Sequence, residues 1–216
     1  MFIDGDTIHR SLFLKKKIKI SKKFNLDNFD KHFFTRENTR GGGLLIFIKS
    51  KFKSIDISIE WNNFENVHLV LYQDNNKQEI HICSVYRPPH TSKHLFIQEI
   101  DLLLNKINNK HTVVLIGDMN MNVNSSDGDV RELLNVVTSH GLCLSIEGHT
   151  REEVRDGRTT KTCIDLVFIR GHKDGSSTAV ITHKISDHYM IGVQLITDIR
   201  LQSTASKTVD LDLTRT

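Results

Sequence analysis

The apolar periodicity of this chain changes at Pro88-Pro89, and that change constrains the fold more than any other feature. Before the prolines, apolar residues recur at every second position, as a half-buried strand requires; after them they recur at helical spacing. In IDISIEW (55–61), Ile55, Ile57 and Ile59 share one face, so a strand is expected there. VHLVLY (67–72) and EIHICSVY (79–86) read as a hairpin through the polar loop QDNNKQ, and GGGLLIFIKS (41–50) as a glycine turn opening a further strand. Two consecutive prolines end this run, because neither can donate to a strand ladder.

Beyond them, Phe96, Ile100, Leu103 and Ile107 of SKHLFIQEIDLLLNKI (92–107) line one helical face, with Thr91 or Ser92 placed as the cap. TVVLIG (112–117) is continuously apolar, the pattern of a central strand covered on both faces. A second helix fits GDVRELLNVVTSHG (128–141), with Leu133, Val136 and Val137 inward and Gly141 as a stop. After a polar loop (148–161), CIDLVFIR (163–170), STAVITHKI (177–185) and MIGVQLI (190–196) supply three more strands. Short strands interrupted by two helices predict an α/β protein with two packed, mostly antiparallel sheets and helices outside. Residues 1–23 are basic and not periodic, residues 24–197 form the domain, and residues 198–216 read as a polar tail.

Composition narrows the class. With 216 residues, 38% hydrophobic and 25% charged, the chain can bury one substantial core. No apolar run approaches the roughly 18 residues that span a bilayer, and Leu12–Leu14 is too short for a signal-peptide core, so an intracellular protein with no membrane partner is expected. The net charge of +3 is mild, but Lys15–Lys23 holds six lysines in nine residues, a solvated face or a phosphate-contacting edge. Cys83, Cys143 and Cys163 are odd in number and far apart, which suits structural thiols. The twelve histidines include no His-x-x-x-His and no Cys/His cluster, so their spacing gives no zinc site.

Polar groups gather at strand ends instead. Tyr86 precedes Arg87-Pro88-Pro89; Asp118 and Asn120 follow the central apolar run; Asp165 opens an apolar strand; Asp187 and His188 precede the last one. Singly, each has an ordinary reading as a packing tyrosine, a turn, a buried acid or a loop cap. Asp165 needs a partner, since a charged carboxylate in an apolar strand is costly unless paired, and a histidine would suit. Jointly, these carboxylates, amide, phenol and imidazole are equipment for hydrolysing a phosphodiester with a hard divalent cation.

The motifs also carry a resemblance. YRPP (86–89), GDMN (117–120), TCIDLVF (162–168) and SDH (186–188) resemble, in order, those of the exonuclease–endonuclease–phosphatase superfamily. GGGLLIFIK with Arg36 upstream, and the Tyr-Arg-Pro-Pro form, resemble one branch: the apurinic-type endonuclease domain of non-LTR (jockey/LINE-like) retrotransposons. The resemblance implies a four-layer α/β sandwich that nicks a target-site DNA duplex with Mg²⁺ (or Mn²⁺), acting in the nucleus and followed by a reverse transcriptase in the parent polypeptide. It makes Asp118 the residue that activates water, with Asn120 helping to hold water and phosphate. His188 then stabilises the phosphate, Asp165 fixes its ring, Asp187 supports the metal, and Tyr86 contacts the phosphate or leaving group. Thr150 takes a position near DNA, and Arg151, Arg155, Arg158 and Lys161 become backbone contacts, with a solvated loop as the alternative.

One departure matters. The family carries an Asn on an early strand and a metal-binding Glu at the end of a second, and neither has a match here. The first glutamate is Glu37, and the acids nearest the start are Asp4 and Asp6. The expectation is therefore a Mg²⁺-dependent DNA-nicking domain truncated at its N-terminus and lacking one or two strands, with activity either kept or lost for want of that Glu. The alternatives are an inactive DNA- or protein-binding remnant and a phosphatase of the same superfamily.

Overall fold

The computed structural model describes residues 2–4, 7–9, 25–34, 43–72, 79–171, 176–182 and 186–195. Arg36, Glu37, Asp6 and the Lys15–Lys23 run lie outside them, as does the tail after residue 195. The elements, in chain order, are β1 (Phe2–Asp4), β2 (Thr7–His9), β3 (Phe29–Phe34), β4 (Leu44–Lys49), β5 (Lys53–Asp56), β6 (Glu65–Tyr72) and β7 (Ile80–Tyr86). They continue with α1 (Lys93–Asn105), β8 (Thr112–Asp118), α2 (Gly128–Ser139), β9 (Cys143–Leu144), β10 (Arg151–Arg155), β11 (Arg158–Thr162), β12 (Asp165–Arg170), β13 (Ser176–Ile181) and β14 (Met190–Leu195).

Two six-stranded sheets run β5-β6-β7-β8-β12-β9 and β13-β14-β2-β1-β4-β3, with β10-β11 as a separate hairpin. Pairing is antiparallel except for β7 with β8 and β1 with β4. The β7–β8 pair is parallel because α1 carries the chain back between them, the crossover that parallel neighbours require. Every residue of β8 and of β12 is buried, which is why those strands read as unbroken apolar runs. One core joins Ile46 and Ile48 of β4, Leu69 of β6 and Ile82 of β7 to Phe96, Ile100 and Leu103 of α1 and to Val130, Leu133 and Val137 of α2. This is the α/β sandwich, two mixed sheets flanked by helices. No helix of the described residues is long and apolar enough to cross a membrane.

The helices start where their caps dictate. Ser92 Oγ accepts the Leu95 amide and Asp127 accepts the Asp129 amide, each satisfying an orphan donor of the first turn. Beyond α2, Gly141 takes φ 74°, the left-handed conformation that ends helices.

Three expectations need correction. The strand expected over 55–61 stops at Asp56, and Ile55, Ile57 and Ile59 are 51%, 41% and 43% exposed. Asp56 Oδ1 accepts the Ser58 amide at 2.9 Å, and this local bond competes with continuation of the edge ladder. The polar loop expected over 148–161 is the β10–β11 hairpin, closed by Asp156 and Gly157 at φ 51° and 75°; two successive positive φ values match the twist of a tight hairpin. Lastly, residues 1–23 contain two three-residue strands, β1 and β2, seated between β14 and β4 and too short to register as a period.

Candidate active site

Register brings the strand-end residues together. Tyr86 on β7 lies directly opposite Asp118 on β8, and Asp118 lies directly opposite Asp165 on β12. Directly paired residues project from the same face, so a phenol and two carboxylates form one row across three strands. Glu65 on β6, opposite Tyr86, extends the row and is buried. Sequence reading missed it because the apolar pattern of that strand starts two residues later.

The turn after β8 is held from behind by Arg87. This buried guanidinium donates Nε to Met119 O at 2.7 Å, Nη2 to Asn120 O at 2.9 Å, and Nη1 to Thr91 O and Pro88 O at 2.7 and 3.2 Å. Asn120 returns the bond, its Nδ2 donating to Arg87 O at 2.8 Å, while its own amide donates to Asp118 Oδ1 at 3.0 Å. With one Nδ2 hydrogen so committed, the amide plane of Asn120 is fixed against the Arg87 carbonyl. The turn carries Asn120 at φ 48°, a conformation asparagine tolerates better than most residues. Gly117 is required by packing: a Cβ there would fall 1.7 Å from the Val85 carbonyl oxygen. These contacts give a physical reason for the Arg of YRPP and for the Gly and Asn of GDMN.

On the other side, His188 Nδ1 lies 2.8 Å from Asp165 Oδ2. Asp165 is fully buried, and His188 is the partner its carboxylate needs. An ionised carboxylate accepts only, which assigns the Nδ1 proton to the histidine and makes Nε2 its outer nitrogen. Asp118, Asp165 and His188 each offer a ligand atom, all within 4.8 Å of one another. Carboxylate and amide oxygens fit a hard divalent cation, and Asp118, Asp165 and Asn120 carry them here.

Asp187 is otherwise engaged. Arg151 Nε donates to its Oδ2 at 2.8 Å, and Arg151 Nη2 to Glu153 Oε2 at 3.0 Å. Burial alone would raise the Asp187 pKa, but the Arg151 bond and the neighbouring His188 outweigh it and hold it below the ordinary value. Thr150, expected beside DNA, is fully buried. Its hydroxyl oxygen accepts the amides of Ile164 and Asp165 at 3.1 and 3.0 Å, fixing the start of β12. Arg155, Arg158 and Lys161 are exposed on the hairpin, Arg155 and Arg158 flanking its turn. The hairpin base is stitched to the His188 segment: the Glu152 amide donates to Asp187 O and the Tyr189 amide to Thr150 O.

The sequence profile of the endonuclease–reverse transcriptase family matches residues 80–192, which contain every one of these residues except Glu65. The chain belongs to that family. It is thus a nuclease domain of retrotransposon type within the exonuclease–endonuclease–phosphatase superfamily. Solved structures agree on the fold. The endonuclease domain of TRAS1, a telomere-specific non-LTR retrotransposon, is similar with a TM-score of 0.67 at 19% identity, over 80% of this chain and 82% of that one. An endonuclease/exonuclease/phosphatase family protein from Leptotrichia buccalis matches at TM-score 0.59 and 17% identity, over 89% and 88%. Truncated TDP2 from Caenorhabditis elegans matches at 0.53 and 11%, over 78% and 76%. No curated protein sequence matches the chain. In the endonuclease domain, Tyr86, Asp118, Asn120, Asp165 and His188 converge, whereas Asp187 pairs with Arg151 and Thr150 is internal.

Proposed function

We propose that this domain hydrolyses DNA phosphodiester bonds, nicking one strand of a target duplex with Mg²⁺, for which Mn²⁺ can substitute. The observation that carries the reading is the row Tyr86–Asp118–Asp165 with His188 bonded to Asp165. The cation supplies Lewis-acid stabilisation of the phosphate. Asp118 orients and deprotonates the attacking water, with Asn120 Oδ1 holding it in line. His188 presents Nε2 to the phosphate oxygen where negative charge grows, its ring fixed by Asp165. Tyr86 contacts the phosphate or the departing oxygen, and Arg155, Arg158 and Lys161 follow the DNA backbone. In a parent polypeptide the nick would prime a reverse transcriptase in the nucleus.

Supercoiled-plasmid nicking in Mg²⁺ tests this. Asp118→Ala and His188→Ala should each abolish nicking, and nicking that survives both sinks the assignment. A second reading, an inactive DNA-binding module, draws on the Asp187–Arg151 pair, which leaves Asp118 and Asp165 as the carboxylates of the described cluster. Salt-dependent DNA binding without nicking in Mg²⁺ or Mn²⁺ would favour it.

A further inference from the structure

A second set of ligating side chains lies at the other end of the same sheet. Glu79 leads into β7, His81 is its second residue, and His111 leads into β8; the parallel pairing Ile80↔Thr112 brings both lead-ins to one edge. His81 Nε2 lies 3.2 Å from Glu79 Oε2, and His111 Nε2 lies 3.6 Å from that same oxygen. The ligand atoms of all three fall within 4.8 Å of one another. From His81 to Tyr86 is five residues of strand, so this cluster stands roughly 16 Å from the nuclease row.

We propose that Glu79, His81 and His111 form a binding site for a divalent first-row transition ion of the zinc class, distinct from the nuclease centre. Two imidazoles and a carboxylate are a donor set that zinc accepts and Mg²⁺ does not favour. The side chains are 7% (His81), 19% (His111) and 32% (Glu79) exposed, so the site is walled on one side and reachable by solvent, which supplies the fourth ligand. His81 has the outer partner that metal-bound histidines need: His68 Nε2, on β6, lies 3.0 Å from His81 Nδ1. Arg170, the nearby cation, donates to the backbone carbonyls of Asn108, His111 and His140.

One proton must move. The Glu79 amide donates to His111 Nδ1 at 3.1 Å, which puts that ring's proton on Nε2. Coordination through Nε2 transfers it to Nδ1 and gives up the amide bond, one neutral hydrogen bond set against a metal–nitrogen bond. A bound ion would tie the starts of β7 and β8, whose far ends carry Tyr86 and Asp118. The ligands come from two strand lead-ins and a strand interior, with 29 residues between His81 and His111 (111 − 81 − 1), so no local spacing betrays them.

The test uses chelator-treated full-length protein held in excess Mg²⁺, so that the hard site is occupied. Zn²⁺ titrated by calorimetry should bind with one-to-one stoichiometry and raise the unfolding temperature, and Co²⁺ should develop visible d–d absorption. Glu79→Gln and His111→Gln, both at partly exposed positions, should each weaken Zn²⁺ binding at least about tenfold while circular dichroism stays unchanged. Asp118→Asn should leave Zn²⁺ affinity unaltered. The inference is overturned by absence of Zn²⁺ and Co²⁺ uptake, by uptake indifferent to both Glu79→Gln and His111→Gln, or by uptake lost in Asp118→Asn. None of these readouts depends on nicking.

Discussion

Arg87 and Asn120 hold each other across the base of the site: Arg87 Nη2 donates to the Asn120 carbonyl at 2.9 Å, and Asn120 Nδ2 donates to the Arg87 carbonyl at 2.8 Å. The pair fixes the turn that presents Asp118, so geometry and stability share one residue. Arg87→Ala would strand the buried Met119 carbonyl and the half-buried carbonyls of Asn120 and Thr91, and should cost about 3 kcal/mol, read by urea denaturation. Arg87→Lys cannot reproduce the fork and should recover less than half of that loss. A loss below about 1 kcal/mol for Arg87→Ala would show that the turn stands without the clamp.

His188 and Asp165 make the complementary prediction, about chemistry more than stability. Asp165→Asn can offer its amide nitrogen to Nδ1, which selects the wrong histidine tautomer. Nicking should fall roughly 10²- to 10⁴-fold with little change in DNA affinity. A drop in affinity with an unchanged single-turnover rate would instead make Asp165 a structural acid.

The sequence made strand ends legible because burial writes periodicity: the apolar stretches of β7 and β8 end on Tyr86 and Asp118, and that of β12 begins just after Asp165. What it hid lacks that signature. The β10–β11 hairpin is built from Arg, Glu, Thr and Lys with no apolar alternation, though its Asp156-Gly157 pair is a hairpin signal that could have been used. The isoleucines at 55, 57 and 59 alternate like a buried strand yet are exposed on edge strand β5 and the segment just beyond it. Sequence could not reveal that Asp187, expected to support the metal, is paired with Arg151, 36 residues earlier.

Thr150 links the hairpin to the start of β12, since one oxygen accepts the amides of both Ile164 and Asp165. Thr150→Val keeps the shape and removes the acceptor, leaving two buried donors. It should destabilise by about 2–4 kcal/mol, whereas Thr150→Ser should restore most of this. Equal stability of the Val and Ser variants in thermal unfolding would count against the hydroxyl's role.

The Asp187–Arg151 pair predicts a pH dependence whose sign follows from the depressed carboxyl pKa. A folded-state pKa below the ordinary 3.8 means that the unfolded chain binds more protons in that interval, so the pair's stabilisation is present above 3.8 and lost as pH falls through the folded value. Unfolding temperatures of the wild type and Arg151→Ala should therefore differ near neutrality and converge in acid. A gap that stays constant from neutral pH down to strong acid would assign the Arg151 effect to packing.

Arg155 and Arg158 flank a turn whose backbone is already set by Asp156 and Gly157 at positive φ, so the hairpin offers two cations at a fixed spacing. Phosphate contacts contribute through counterion release, which reads out as the slope of log affinity against log salt. Arg155→Ala and Arg158→Ala should each weaken DNA binding across unrelated sequences and reduce that slope by about 1, with the nicking rate at saturating DNA unchanged. Gly157→Ala, forced into the same left-handed turn at roughly 1 kcal/mol, should produce a milder form of the same defect by loosening the presentation of both arginines. If the slope is unaffected in both arginine variants, the hairpin is a solvated edge, and the DNA path must run elsewhere over the Tyr86–Asp118–Asp165 row.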